Sequence, residues 1–173
     1  MGELVFENCK LPAASLLGRE GRGSRIFNTA LEWERGAILA SVVGTMQRQL
    51  DRCVQQARTR KQFGQPIGSF QVLQHRAVDM LTALEQARSM AYFATMMAAE
   101  PEPRERRKAM SAAKVQIGRS ARLVGQEAIQ LHGGIGMTME YKAGHYFKRL
   151  TMIDMAFGDA DHHLRELARA GGL

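Results

Sequence analysis

The chain has 173 residues, of which 45% are hydrophobic and 24% are charged. This composition excludes a wholly disordered chain, and the length suffices for one domain with a substantial core but is short for two. The formal net charge of +7 favours an anionic partner, which could be nucleic acid, a membrane surface or a phosphate-bearing small molecule. The two cysteines, Cys9 and Cys53, are too few for a disulfide framework or a zinc site, so a reducing compartment is expected.

The opening residues and the hydropathy pattern favour a cytoplasmic protein. No apolar run approaches the roughly 18–20 residues that a membrane span needs. Residues 1–3 lack the basic and apolar regions of a signal peptide. We therefore expect no membrane span and no export.

The first element in chain order is a short β-prone segment at residues 4–9, which Pro12 ends. A single strand cannot satisfy its own backbone hydrogen bonds. We interpret the segment as the end of a sheet whose other strands are absent. The chain accordingly divides into residues 1–23, an extended remnant with its linker, and residues 24–173, a helical domain.

Two long helices are predicted next. Apolar residues at helical spacing, without proline, indicate a first helix over about residues 24–60. The second helix is predicted to begin near Ser69 as its N-cap and to end before Pro101 and Pro103.

The third helix is predicted over about residues 104–132, ending at Gly133. The fourth begins near Tyr141, is interrupted at Gly158 and restarts with Asp159 as its N-cap. Helices joined by short loops predict an all-α protein, an antiparallel four-helix bundle with a broken fourth helix, preceded by a short extended segment.

A basic cluster at residues 104–108 opens the third helix. It is brief, contains Glu105, follows Glu102 and lacks interleaved aromatic residues. We expect a solvated first turn there and no nucleic-acid site. The alternative, a basic nucleic-acid-binding bundle, predicts strongly salt-dependent binding to DNA or RNA.

Three stretches carry a more specific pattern: residues 31–36 read LEWERG, residues 60–67 read RKQFGQPI and residues 130–141 read QLHGGIGMTMEY. In this order and spacing they resemble the C-terminal helical domain of the acyl-CoA dehydrogenase family. Residues 5–12, VFENCKLP, resemble the exit strand of that family's middle β-domain. The resemblance covers essentially the whole chain. It implies a fragment or truncated product that is inactive by itself.

The resemblance implies oxidation of an acyl-CoA thioester to the trans-2-enoyl-CoA, with FAD as the cofactor. A carboxylate removes a proton from Cα while a hydride leaves Cβ for the flavin. The developing enolate needs hydrogen-bond donors at the thioester oxygen. The base must be ionised yet sheltered, because desolvation raises a carboxyl pKa towards the working pH.

Most members of the family place this base in a Glu-Gly-Thr segment, which falls on Phe157, Gly158 and Asp159 here. The usual base is therefore absent. A minority carries the glutamate on the first long helix of the domain, in a Leu-x-x-Glu-Arg pattern. Glu34 followed by Arg35 matches that pattern, which implies Glu34 as the catalytic base and Arg35 as a substrate contact.

The position of Glu34 on its helix agrees with this role, because it interrupts the apolar stripe between Leu31 and Ile38 and is expected to be partly desolvated. The alternative is a carboxylate at the stripe edge, paired with a Lys or Arg. Asp159 or Asp161 could also act as the base, but each is shorter and displaced along the chain.

The resemblance also implies contacts with FAD. Arg60 matches an arginine on the pyrophosphate, which a guanidinium suits, and Phe63 matches an aromatic residue against the phosphate arm. Positions that hold the adenosine half match Gln71, Gln130, Gly133 and Gly134. In the family these residues serve the FAD of a neighbouring subunit, so a homodimer or homotetramer is expected.

Each of these residues also has a purely structural interpretation. Arg60 could serve as a cation at a helix C-terminus, Phe63 as a core residue, and Gly133 and Gly134 as a helix stop.

Residues 159–163 read DADHH and raise two further questions. By its position in the chain, the resemblance also implies a cofactor contact for Asp159. Asp159 and Asp161 replace uncharged family residues that touch the cofactor, however, and a carboxylate beside pyrophosphate is unfavourable. Two Asp and two His could also bind a metal. Adjacent histidines on a helix diverge by about 100°, however, so we expect no metal and favour Asp159 as an N-cap.

A different class of function remains open. With Phe157 at the usual base position, the chain could be a non-catalytic oligomerisation module or partner subunit of the same family. A flavin-free yet dimeric protein would favour that alternative.

Overall fold

A computed structural model describes residues 3–172, so Met1, Gly2 and Leu173 lie outside the description. It contains five α-helices: α1 Gly23–Thr59, α2 Gln71–Met97, α3 Pro103–His132, α4 Lys142–Met155 and α5 Ala160–Gly171. A short antiparallel hairpin between α1 and α2 pairs Lys61–Gln62 (β1) with Gln65–Pro66 (β2). Single 3-10 turns lie at Ala13–Ser15, Ile67–Ser69 and Gly133–Met137. The prediction of an all-α bundle with a broken fourth helix is confirmed.

The chain separates into two units, one ending at Leu31 and one beginning at Glu32. In the first unit, residues 3–12 adopt no regular secondary structure, and their apolar side chains Leu4, Val5 and Phe6 are exposed. The β-prone segment bends at Glu7 and Asn8, where Asn8 has φ 48°, and it pairs with no strand among the described residues. The predicted division after residue 23 remains a prediction.

In the second unit α3 is the central helix. It packs against α2, α4 and α5. Its apolar positions recur every three or four residues along one side, and all of them are buried: Ala113, Ile117, Ala121, Val124 and Ala128. They meet large side chains from the other helices, which include Leu39, Met46, Met80, Leu84 and Leu150. Burial of each large side chain contributes about 1.5–3 kcal/mol before the entropy cost of ordering it.

The N-cap of α2 differs from the prediction by one residue. Ser69 ends a 3-10 turn, and its hydroxyl donates to the carbonyl oxygen of Pro66 at 2.7 Å. The N-cap of α2 is Phe70, which makes no side-chain capping bond. Ser69 fails as the N-cap because its hydroxyl already bonds backwards along the chain.

The first turn of α3 is less solvated than expected. Arg106 is half-buried, and its Nε donates to Oε2 of Glu32 on α1 at 3.2 Å. Its Nη1 group donates to the carbonyl oxygen of Glu100 at 2.6 Å. The prediction of a solvated basic cluster was therefore wrong for Arg106, which joins α3 to α1.

The break in the fourth helix lies where it was predicted. Phe157 and Gly158 both have positive φ angles, of 58° and 93°. A glycine adopts such an angle without strain, whereas Phe157 needs support from its surroundings. Asp159 is the N-cap of α5, and its Oδ1 accepts from the backbone N–H of His162 at 2.8 Å.

Among residues 3–172, no helix combines the length and the apolar character that crossing a membrane requires.

Candidate active site

Glu34 and Arg35 lie next to each other on α1 but point in different directions, because successive helical residues diverge by about 100°. Glu34 is exposed. Within residues 3–172, the expectation that the Glu34 carboxylate is partly desolvated was therefore wrong. Its carboxylate is open to a ligand that arrives from outside the bundle.

Arg35 turns towards the break between α4 and α5. Its guanidinium lies over the Phe157 ring, 5.9 Å from the ring centroid. Its Nε is buried and has no hydrogen-bond partner among the described residues. The structure thus brings together Arg35 and the residue at the family's usual base position, and leaves Glu34 outside this contact.

A groove of about 440 Å³ extends from Arg35 between α3 and α5. Most of its charged side chains are basic: Arg35, Arg104, Arg107, Lys108 and Arg169. Its two acids are already paired, Glu32 with Arg106 at 3.2 Å and Glu166 with Arg169 at 2.9 Å. Arg35 and Arg107 have no carboxylate within ion-pair distance among the described residues, so the groove suits an anionic ligand.

The hairpin after α1 presents the first predicted cofactor residues. Arg60 is exposed, while its backbone bridges Gln56 and Ile67 through hydrogen bonds of 2.9 and 2.8 Å. Phe63, with φ 54°, is 89% exposed and meets Phe70 edge-on with the ring centroids 6.0 Å apart. Phe63 is therefore not a core residue.

The end of α3 carries the second set. Gln130, Gly133 and Gly134 are exposed where α3 stops. Gly133 has φ 62°, and a Cβ atom on either glycine would meet nothing within 4 Å, so a ligand can approach this backbone closely. Gln71 is also exposed at the start of α2.

Two contacts place these sets at one end of the bundle. Arg76 near the start of α2 pairs with Glu127 near the end of α3 at 2.8 Å. Cys53 near the end of α1 lies 3.9 Å from Nδ1 of His132. The predicted residues on the hairpin, on α2 and on α3 thus share this end. A guanidinium, an aromatic ring, amides and open backbone fit a dinucleotide with a pyrophosphate.

Asp159 lies at the break between α4 and α5 and lines a pocket with residues of α3 that reach from Gly118 to Glu127. His163, four residues on, contacts Ser111 of α3 at 3.1 Å. The carboxylate of Asp159 serves the start of α5, and its hydrogen bond with His162 lowers the pKa of Asp159. No group of three or more potential metal ligands occurs within the described ranges.

Three buried polar residues lie near Arg35, where the sequence analysis did not place them: Ser111, Lys114 and His163. Ser111 and Lys114 are polar residues on the buried side of α3, and that was a usable signal. His163 lies in a polar run, and no local pattern separates it from its exposed neighbour His162.

The two thiols should differ sharply in reactivity. Cys9 is exposed, whereas burial and then the charge of Glu127 raise the pKa of Cys53 from 9.0 to about 12. The unfolded chain releases the Cys53 proton near pH 9, whereas the folded chain keeps it until about pH 12. The contribution of Cys53 to the free energy of unfolding is therefore complete below pH 9 and is lost as the pH rises towards 12.

We expect a thiol reagent at about pH 8 to label Cys9 alone until the chain unfolds. We also expect Cys53→Ala to reduce the alkaline loss of stability, and fast labelling of both thiols would contradict this picture.

Known proteins share the sequence pattern and the helical fold of this chain. The family model of the acyl-CoA dehydrogenase C-terminal domain matches residues 21–172. The L-prolyl-[peptidyl-carrier protein] dehydrogenase of Pseudomonas fluorescens is 36% identical over 135 residues, which are 78% of this chain and 35% of that protein. The acryloyl-CoA reductase (NADH) of Anaerotignum propionicum is 33% identical over 167 residues, which are 96% of this chain and 42% of that protein.

Among solved structures, that of PigA with FAD and proline matches with a TM-score of 0.86 and 30% identity, covering 97% of this chain and 43% of PigA. The chain thus spans less than half of each of these proteins. The extent of the family match and the shared bundle show that the chain belongs to the acyl-CoA dehydrogenase family, as its C-terminal helical domain.

Proposed function

We propose that this chain supplies the helical domain of an FAD-dependent thioester dehydrogenase in which Glu34 removes the proton from Cα. The observation that carries the proposal is the Leu-x-x-Glu-Arg pattern on α1 of a family member whose usual base position holds Phe157. When bound, FAD supplies the acceptor for the hydride that leaves Cβ. Glu34 is open to solvent here, so a thioester that covers it would exclude water and strengthen it as a base.

Arg35 and its groove are proposed to bind the substrate. The groove is mainly basic, and Arg35 and Arg107 lack carboxylate partners within residues 3–172. The relatives are named for thioesters of two kinds, on CoA and on a peptidyl-carrier protein. Both carriers present the thioester on a phosphopantetheine arm, and the phosphate of that arm suits a guanidinium.

FAD is proposed to lie at the hairpin end of the bundle, held by Arg60, Phe63, Gln71, Gln130, Gly133 and Gly134. Asp159 stays in the predicted set, although its carboxylate already caps α5. We further propose a homodimer or homotetramer located in the cytoplasm. Exposed apolar side chains along α2 support a covered face: Val72, Val78 and Leu81.

The FAD assignment predicts that Arg60→Ala weakens FAD binding. Loss of a charge-assisted contact with pyrophosphate should raise the dissociation constant by about tenfold or more. Flavin fluorescence titration of the apoprotein measures it. Arg58→Ala is the matched control, because Arg58 is an exposed arginine two positions away in the last turn of α1. Equal effects of the two substitutions would refute the specific role of Arg60.

A further inference from the structure

The turn between α4 and α5 is held by buried side chains that the proposed chemistry does not use. His163 and Lys114 are each 2% exposed. The Nε2 atom of His163 lies 3.0 Å from the carbonyl oxygen of Phe157, and its Nδ1 lies 3.1 Å from Oγ of Ser111. Lys114 donates to the carbonyl oxygens of Ile153 and Asp154 at 3.0 and 2.7 Å, which caps the end of α4.

The two contacts of His163 assign its tautomer. A carbonyl oxygen only accepts, so Nε2 carries the proton, and Nδ1 of the neutral ring accepts from the Ser111 hydroxyl. Burial, followed by the positive charges of His162, Arg35 and Lys114, lowers the pKa of His163 against the opposing effect of the Phe157 carbonyl. Neutral His163 therefore bridges α3 and the turn.

This bridge acts at a residue with unfavourable backbone geometry. Phe157 has φ 58°, which a non-glycine side chain adopts only when its surroundings compensate. The bond from His163 fixes the carbonyl of Phe157, and the cap by Lys114 fixes the preceding helix end. Together they restrain the backbone of the turn that carries the Phe157 ring.

The ring in turn supports Arg35. The guanidinium lies 5.9 Å from the ring centroid, and its buried Nε has no hydrogen-bond partner among the described residues. An aromatic ring attracts a cation without neutralising its charge, whereas a carboxylate would neutralise it. Support by Phe157 therefore leaves the charge of Arg35 available to an anion in the groove.

We propose that Ser111 and His163 are positioning residues that hold the Phe157 turn, so that the Phe157 ring keeps Arg35 aimed into the substrate groove. This inference rests on the proposed function of Arg35 as a substrate contact. It requires that His163 and Phe157 affect substrate binding as one unit.

The test measures binding of S-acetyl-phosphopantetheine to the FAD-loaded protein by calorimetry. This probe is the arm that CoA and carrier proteins share, and its acetyl group has no Cβ to oxidise. His163→Leu and Phe157→Leu should each weaken binding by about tenfold, and the double variant should be no weaker than either alone. His163→Gln keeps a donor for the Phe157 carbonyl and should restore most of the affinity.

A control separates positioning from general destabilisation. Leu84 is fully buried on α2, and Leu84→Ala should lower the melting temperature without changing probe binding. Additive losses in the double variant, an equal loss in Leu84→Ala, or no binding by the parent protein would each overturn the inference. Tight, coupled binding with no oxidation of a longer acyl thioester would instead refute the proposed dehydrogenase function alone.

Discussion

Replacing Glu34 by glutamine should abolish thioester dehydrogenation and leave the flavin bound. Glutamine keeps the shape of the side chain but cannot accept the Cα proton, so kcat should fall by about a thousandfold or more. Turnover is measured with an electron-accepting dye. The flavin-to-protein ratio, taken from the absorbance spectrum, shows that FAD is retained.

Matched substitutions make this result specific. Glu85→Gln removes an exposed carboxylate on α2, which pairs only with Arg88 along the same helix among the described residues, and should leave kcat unchanged. Asp159→Asn and Asp161→Asn test the two alternative bases and should retain turnover. Full activity in Glu34→Gln, or loss of activity in an aspartate variant that still holds its flavin, would move the base elsewhere.

The second large effect is expected on stability, from Gly118→Ala in the middle of α3. A Cβ atom at Gly118 would collide with Oδ1 of Asp154 on α4. Asp154 cannot yield easily, because its Oδ2 accepts from Arg122 at 3.1 Å and its carbonyl oxygen accepts from Lys114 at 2.7 Å. Overpacking of this kind should lower the free energy of unfolding by about 1–3 kcal/mol.

Gly44→Ala is the control for Gly118→Ala, because Gly44 is an exposed helical glycine at which an added Cβ atom would meet nothing within 4 Å. Alanine there should raise the free energy of unfolding by about 0.5–1 kcal/mol, since it reduces the backbone entropy of the unfolded chain. Urea denaturation of both variants gives the comparison. Two changes of the same sign would contradict the packing described for α3 and α4.

Helix boundaries were predictable where glycine, proline or a capping residue controls the local backbone. The first helix was predicted to end at about residue 60, and it ends at Thr59. The break at Gly158, with Asp159 as the N-cap of the next helix, follows directly from residue type. The prediction of Ser69 as an N-cap was wrong because its single hydroxyl bonds back to the Pro66 carbonyl oxygen instead of capping α2. The prediction that Arg106 is solvated was wrong because its ion-pair partner, Glu32, is distant in sequence.

The candidate site was predictable as a set of residue types but not as an arrangement. Local motifs identified Arg60, Phe63 and Gly133, all of which are exposed at one end of the bundle. The exposure of Glu34 and the inward turn of Arg35 depend on how α1 is rotated against α3 and α5. That rotation arises from core packing between distant segments, which a single helical pattern does not encode.

The most direct test of Glu34 as the base mixes FAD-loaded protein with an acyl thioester in the absence of oxygen. We predict that the yellow flavin absorbance bleaches in a single turnover and that the product has lost two hydrogen atoms. The same mixture with Glu34→Gln should stay yellow. An unbleached flavin in the parent protein, tested with both CoA-bound and carrier-bound thioesters, would contradict the proposed chemistry and favour a non-catalytic subunit of the family.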